Sequence, residues 1–519
     1  MLLAFRSLPC KDGFVSQTRS SCPRSTAHSC AQGRRHWRCS AVASESAAPE
    51  LEGSRSNVRE SRSNIVPKPS GSPSARSDRE GHKALTQILK KKLPVIRKAL
   101  LSSAGKARSP GGLDTVLESY NEQPEHDRIP LHGGLPHPSA FPFAQLTVKL
   151  TSGCILTIDD PDLGLPSLQE WTQKHVREQH SPPGYFQVLI SNGSNHAIEM
   201  VTDLLLERGD SLLCESFTYF YLVDSVLPIK GYNAIAMPLD GQGICPRELR
   251  QVLQKKALTG EVPKVLYTVP TGHNPTGTVT PLSRKQEIYS ICQEYNIIII
   301  EDDAYYYLQY PDLQGEVPGL GALVPSYLSI DTDSRVVRLD TWSKVLAPGL
   351  RLGWVTAHPD MVDLMALALH ASLNGPPGLS QALMIAVTQQ WGLTGFQEHC
   401  SKMQRVYQNR ASIMHHAAIR EVQGLAEWQQ PQAGMFIWLK LLAGIQDADD
   451  IAAELVEANV MVLPGKLAHC QGAEAAYPCP YIRLSFANAS EAQIEEGMRR
   501  LGEVLRKCQQ SLLPQADSA

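Results

Sequence analysis

The stretch from Val265 to Ile300 constrains this chain more than any other. Val265-Leu266-Tyr267-Thr268-Val269 reads as an apolar strand closed by Pro270, and the turn-rich loop Thr271-Gly272-His273-Asn274-Pro275-Thr276-Gly277 follows. Thr280 and Pro281 then supply an N-cap and a first helical residue. Ile288, Ile291, Cys292 and Tyr295 fall at helical spacing and make one buried face. Ile297 to Ile300 is apolar on both faces, as a strand covered by helices on both sides must be. Strand, helix and strand at this spacing form a βαβ unit and predict an α/β fold with a mostly parallel sheet. A second such run precedes it: strand Gln187–Ser191, a glycine loop, a helix over Asn195–Leu206 ending near Gly209, and strand Ser211–Glu215. Further strands are predicted at Val336–Asp340 and Leu352–Thr356, and no internal repeat is visible.

With 519 residues, the chain has room for a large and a small domain with appendages. A content of 42% hydrophobic and 19% charged residues excludes a wholly disordered chain. No apolar run approaches the roughly 18 residues that a membrane helix needs. The net charge of −3 argues against nucleic acid as an obligate partner. That sum conceals an asymmetry, because residues 1–44 hold seven Arg or Lys against one acid, Asp12, and carry +6. The remainder carries −9.

A basic, Ser-rich, acid-poor N-terminus has the composition of an organelle transit peptide. The small residues of Arg38-Cys39-Ser40-Ala41-Val42-Ala43 favour a plastid over a mitochondrion. The alternative is a basic tail with no address, which leaves the protein in the cytosol. A secretory signal fits less well, since no apolar core of about 7–15 residues occurs there. Residues 45–83, rich in Ser, Pro, Gly and alternating charge, read as a disordered linker. Residues 84–145 read as an N-terminal arm, with a Lys-rich amphipathic stretch at 84–104 interrupted by Pro94. The large domain is expected at 146–390 and a small C-terminal domain of α+β type at 391–519. The twelve cysteines include no C-x-x-C, so neither a disulfide framework nor a zinc site is expected.

In open α/β sheets, ligands bind at the carboxyl ends of the strands. Here those ends are polar. The strand over 187–191 ends in Asn192-Gly193-Ser194-Asn195, where the backbone N–H groups of a helix start and a hydroxyl could cradle a phosphate. The strand over 297–300 ends in Glu301-Asp302-Asp303-Ala304-Tyr305. A carboxylate beyond four isoleucines is costly unless paired, and a pyridinium N–H suits Asp302 as partner. Tyr305 and Asn274 could reach a phenolic oxygen beside that ring, and Tyr219 could stack on its face. The strand over 336–340 ends in Thr341-Trp342-Ser343-Lys344, with Arg351 seven residues on. A second cation nearby attracts a phosphate and disfavours the ammonium form of Lys344, which helps make the amine a nucleophile toward an aldehyde cofactor. Arg483, on the alternating strand Tyr481-Ile482-Arg483-Leu484-Ser485-Phe486, could fork onto a carboxylate. Taken singly, each has a plain structural alternative. Lys344 and Arg483 could be surface cations, Asp302 an acid bonded to backbone, Ser194 an ordinary cap, and Tyr219 core. Their joint order across the chain reads as a pyridoxal phosphate site.

These motifs, together with His132-Gly133-Gly134-Leu135-Pro136-His137-Pro138 and Phe141-Pro142-Phe143, resemble the class I/II aminotransferases of fold type I. The similarity is to the branch of kynurenine/2-aminoadipate and fungal aromatic aminotransferases. It implies Lys344 as Schiff-base lysine and proton shuttle, Asp302 on the pyridine nitrogen, and Tyr305 and Asn274 on the phenolic oxygen. It also implies Tyr219 over the ring, and Ser194, Asn195, Thr341, Ser343 and Arg351 on the phosphate of pyridoxal 5'-phosphate. Arg483, Asn274 and the Gly134 loop would hold the substrate, and Arg108 in the arm would reach its side chain. A homodimer with shared sites and a 2-oxo acid acceptor such as 2-oxoglutarate are implied as well. A lyase or synthase on the same fold is the main alternative; an aminotransferase-like sensor domain of a transcription regulator is a second. One departure stands out: Asp159-Asp160-Pro161-Asp162-Leu163 runs straight into Gly164-Leu165-Pro166, without the tyrosine that relatives carry before this helix. That tyrosine contacts the neighbouring subunit's cofactor phosphate in the family.

Overall fold

The computed structural model describes residues 129–131, 166–442, 444–471 and 478–512. The segments read as transit peptide, linker and arm, and the shortened segment before Pro166, lie outside them, apart from Ile129–Leu131.

A seven-stranded sheet organises the first part of the fold. Its strands are β1 (Gln187–Ser191), β2 (Ser211–Glu215), β3 (Asn233–Met237), β4 (Val265–Thr268), β5 (Ile298–Asp302), β6 (Val336–Thr341) and β7 (Gly353–Ala357). They lie in the order β1-β7-β6-β5-β4-β2-β3. Strand β7 runs antiparallel to both neighbours, and the remaining pairs are parallel. The fold is thus the α/β architecture, mostly parallel, that the βαβ units predict. All residues of β4, β6 and β7 are buried, whichever way they point, so both faces of the sheet centre are covered.

The connecting helices include α1 (Pro166–His180), α2 (Ser194–Leu205), α3 (Pro246–Thr259) and α4 (Leu282–Glu294). Of the expected face of α4, Ile288, Ile291 and Cys292 are buried, whereas Tyr295 caps the helix end and is half-buried. Its start differs from expectation. Pro281 holds an extended ψ of 158° and takes the cap position itself, so Leu282 is the first helical residue. Thr280 instead donates its N–H to the Pro270 carbonyl at 2.8 Å. Helix α2 is displaced by one residue from Asn195–Leu206, because Gly193 at φ 82° lets the helix begin at Ser194.

Strand β5 also runs further than expected. It continues through Glu301 and Asp302 instead of ending at Ile300. Acids can remain in this buried ladder because Arg338 of β6 is fully buried beside them. Its guanidinium lies 3.2 Å from Glu301, 2.9 Å from Asp303 and 2.8 Å from Asp340.

Helices α5 (Pro359–Leu373) and α6 (Gly378–Val422, broken at Gly392) lead to a second, four-stranded sheet. Its strands are β8 (Ala426–Glu427), β9 (Phe436–Leu441), β10 (Leu463–Pro464) and β11 (Tyr481–Ser485), antiparallel in the order β8-β9-β11-β10. The C-terminal helix α7 (Glu491–Leu512) packs on α6. Arg410 of α6 holds the chain after β11, donating to the Phe486 carbonyl at 2.6 Å and to that of Ala489.

Candidate active site

The carboxyl ends of β4, β5 and β6 open toward the second sheet. Register decides which side chains meet there. Tyr267 pairs with Ile300, and Ile300 is two residues from Asp302, so Tyr267 and Asp302 share one face. Glu301, Asp303, Arg338 and Asp340 fall on the other. Asp302 is 4% exposed. The Tyr267 hydroxyl donates to its Oδ2 at 2.7 Å, while its Oδ1 is buried with no hydrogen-bond partner among the described residues. Burial pushes the carboxyl up to about 7; the Tyr267 hydrogen bond opposes that, and Asp303 and Glu215 reinforce it. A buried acid with one unsatisfied oxygen fits a protonated ring nitrogen, which would supply both the charge and the donor.

Lys344 follows β6 and is half-buried. Its Nζ lies 5.9 Å from the centroid of the Tyr305 ring. Burial lowers the amine to about 8, aided by the charges of Arg483 and Arg351 and opposed by Asp302. Roughly a tenth of the amine is then neutral at pH 7, far more than for an ordinary lysine, which favours its use as a nucleophile or proton carrier. Tyr305 is buried with its ring edge-on to Phe436 at 5.7 Å, and burial lifts its phenol above the usual range.

Arg483 is 2% exposed and is no surface cation. Its Nη1 donates to the Asn274 Oδ1 at 2.6 Å, and its guanidinium lies 4.1 Å from the Phe436 ring centroid. Burial lowers it to about 10, so it is charged at neutral pH. This pair joins the loop after β4 to β11. Backbone approach allows it: a Cβ on Gly272 would come within 2.7 Å of the Gly434 nitrogen.

On the other side of Lys344, small polar groups gather around the start of α2. Thr341 Oγ1 donates to Ser343 Oγ at 3.0 Å, and Arg351 Nη1 to the same oxygen at 3.4 Å. A Cβ on Gly193 would sit 2.9 Å from Arg351 Nη2, which brings the Gly193-Ser194 turn and Arg351 together. The Tyr219 hydroxyl donates to Asn195 Oδ1 at 3.1 Å. Hydroxyls, a guanidinium and a helix N-terminus converging in this way suit a phosphate. Gly134 and Arg108 lie outside the described residues.

The sequence reading passed over three residues here: Tyr267, Phe436 and Glu215. Glu215, 2% exposed, accepts from Thr268 Oγ1 at 2.6 Å, Val269 N–H at 3.0 Å and Thr218 Oγ1 at 3.1 Å. It fastens the loop carrying Tyr219 to the end of β4. Tyr267 left one signal, a phenol hydroxyl directly after the apolar pair Val265 and Leu266. Among the described residues, no cluster of His, Cys, Asp and Glu is placed to hold a metal ion, and no helix is long and apolar enough to cross a membrane.

Comparison with known proteins agrees with this geometry. The family model "Aminotransferase class I and II" matches residues 163–501. The mitochondrial kynurenine/alpha-aminoadipate aminotransferase of Mus musculus is 31% identical over 432 residues, covering 78% of this chain and 98% of its own. An aromatic amino acid aminotransferase of Schizosaccharomyces pombe is 29% identical, over 78% of this chain and 95% of its own. Among solved structures, LysN, the alpha-aminoadipate aminotransferase of Thermus thermophilus complexed with N-(5'-phosphopyridoxyl)-L-leucine, is 26% identical with a TM-score of 0.66. That match covers 80% of this chain and 99% of LysN.

Proposed function

The chain belongs to the class I and II aminotransferases, and on that premise we propose an aromatic amino acid, kynurenine or 2-aminoadipate as its amino donor and 2-oxoglutarate as acceptor. It is a pyridoxal-phosphate-dependent transaminase acting on amino acids and 2-oxo acids, and the lyase or synthase alternative falls away. The names of its relatives support the choice of donors. The observation that carries the assignment of the site is the buried Asp302, one oxygen unpartnered, on the same rim as the depressed amine of Lys344.

In this reading Asp302 would hold the ring nitrogen, Tyr305 and Asn274 the phenolic oxygen, and Tyr219 the ring face. Ser194, Asn195, Thr341, Ser343 and Arg351 would hold the phosphate. When bound, the cofactor supplies an aldehyde carbon for the substrate amine and a ring that withdraws electrons from Cα. Lys344 would hold the resting cofactor through Nζ, and with substrate bound the same Nζ would carry the proton to and from the substrate's Cα. Arg483 forks onto the α-carboxylate and orients Cα toward that amine. Gly134 and Arg108 would complete the substrate pocket.

We further propose a homodimer. Leu364 and Leu367 of α5 and Leu379 of α6 are 53%, 65% and 60% exposed, an apolar surface that a second copy would cover. The basic, acid-poor N-terminus and the mitochondrial mouse relative support import into an organelle; these relatives lend nothing to a plastid address. A panel of amino donors assayed against 2-oxoglutarate tests the substrate reading. Glutamate formation fastest with one of the three donor classes is expected. Equal or faster turnover of aspartate or alanine would overturn it.

A further inference from the structure

We propose that Tyr267 is a positioning residue for Asp302, its hydroxyl pinning Oδ2 so that Oδ1 alone is presented to the cofactor's ring nitrogen. This rests on the functional reading above. The placement follows from strand register: β4 and β5 pair in parallel with Tyr267 opposite Ile300, one step below Asp302 on the same face. A phenol is long enough to span that step. Tyr267 is fully buried, and its hydroxyl meets Oδ2 at 2.7 Å.

Several charged or titratable groups act on Asp302. Asp303 follows it just past the end of β5 and on the opposite face, Glu215 lies at the end of β2, Tyr219 and Tyr305 in the loops after β2 and β5, and Lys344 after β6. Arg338 acts from β6 on the opposite face. Among the described residues, Tyr267 is the group that hydrogen-bonds the carboxylate. Without it, both oxygens would be unsatisfied and free to turn. The acid would also lose an interaction that favours its charged form, at a site where burial and two neighbouring acids already oppose that form. An acid that is protonated at working pH cannot hold the ring nitrogen protonated. Tyr267 thus governs both the direction and the ionisation of Asp302 without touching substrate.

The test uses the full-length protein with Tyr267→Phe, which removes one oxygen from a buried ring. A hydrogen bond to a charged group corresponds to a loss of about 10- to 100-fold in cofactor dissociation constant, read by fluorescence titration. The acid limb of cofactor retention, followed by absorbance against pH, is expected to move to higher pH. KM for 2-oxoglutarate, set by Arg483, is expected to hold. Unchanged affinity and an unchanged acid limb would overturn the proposal. Incorporating 3-fluorotyrosine at position 267 keeps the ring and strengthens the donor; the limb should then move to lower pH, and no movement would overturn the proposal independently of any folding defect in the phenylalanine variant. Asp302→Asn, run in parallel, separates the two levels. If it too leaves cofactor binding intact, the reading of Asp302 fails; if it alone weakens binding, Tyr267 has no such role.

Discussion

Replacing Arg338 with Met should damage the fold at the base of the site, and the damage should depend on pH. Arg338 is fully buried among Glu301, Asp303 and Asp340, and contacts all three within 3.2 Å. Methionine fills much of the same volume but leaves three buried carboxylates uncompensated, with Lys285, itself bonded to the Pro325 carbonyl at 2.8 Å, as a remaining nearby cation. Breaking a buried ion network in this way costs about 3–5 kcal/mol. For a chain of this size that corresponds to roughly 3–6 °C in the midpoint of thermal unfolding. The sign with pH follows from the acids. Burial already raises Glu301 above the usual carboxylate range and Asp340 to about 7, with Arg338 opposing both. Removing Arg338 raises them further. An acid whose folded value exceeds its unfolded one contributes stability at low pH and loses it as pH rises through the folded value. The deficit should therefore be small near about pH 5.5 and larger, still growing, near about pH 8. Differential scanning fluorimetry of wild type and variant across that range checks it. A deficit equal at both ends, or absent at the alkaline end, would refute the reasoning.

Three further outcomes follow from the same structure. The rate at which cofactor-free protein takes up pyridoxal phosphate should rise with pH through about 8 and then level off, tracking neutral Lys344; stopped-flow absorbance that still climbs like an unperturbed lysine, toward roughly 10, would contradict it. Arg483→Gln should raise KM for donor and acceptor by about 10- to 100-fold with a smaller fall in kcat, since a charge-assisted carboxylate contact is lost while Lys344 stays in place; steady-state kinetics with both substrates reads this. Gly193→Ala should weaken cofactor binding by about tenfold or more, because the new Cβ meets Arg351 Nη2 at 2.9 Å on a backbone at φ 82°; equilibrium dialysis measures it.

Much of the site is readable in the chain because its polar residues interrupt apolar strands. Asp302 stands out after a run of isoleucines and Lys344 among the polar residues that close β6, and β1 and β2 have the bounds that their turn residues predict. What escapes is whatever depends on pairing between distant strands. Gly353-Trp354-Val355-Thr356-Ala357 carries no mark of its antiparallel direction, which arises only when it inserts between β1 and β6. Arg338 looks like an ordinary strand cation until register sets it beside Glu301, and only then is the extension of β5 explained. Tyr267 and Asp302 lie 35 residues apart, joined by one step of parallel register. Arg483 sits on an alternating strand that leaves its burial open; the approach of Gly272 to Gly434 closes the second sheet over it.

Borohydride reduction of the holoprotein, followed by proteolysis and peptide mass spectrometry, tests the central claim most directly. Reduction makes the bond between cofactor and lysine permanent. The reduced cofactor is expected on the peptide containing Lys344, and its loss is expected in Lys344→Ala. Cofactor on a different lysine, or retained on the protein after that substitution, would contradict it.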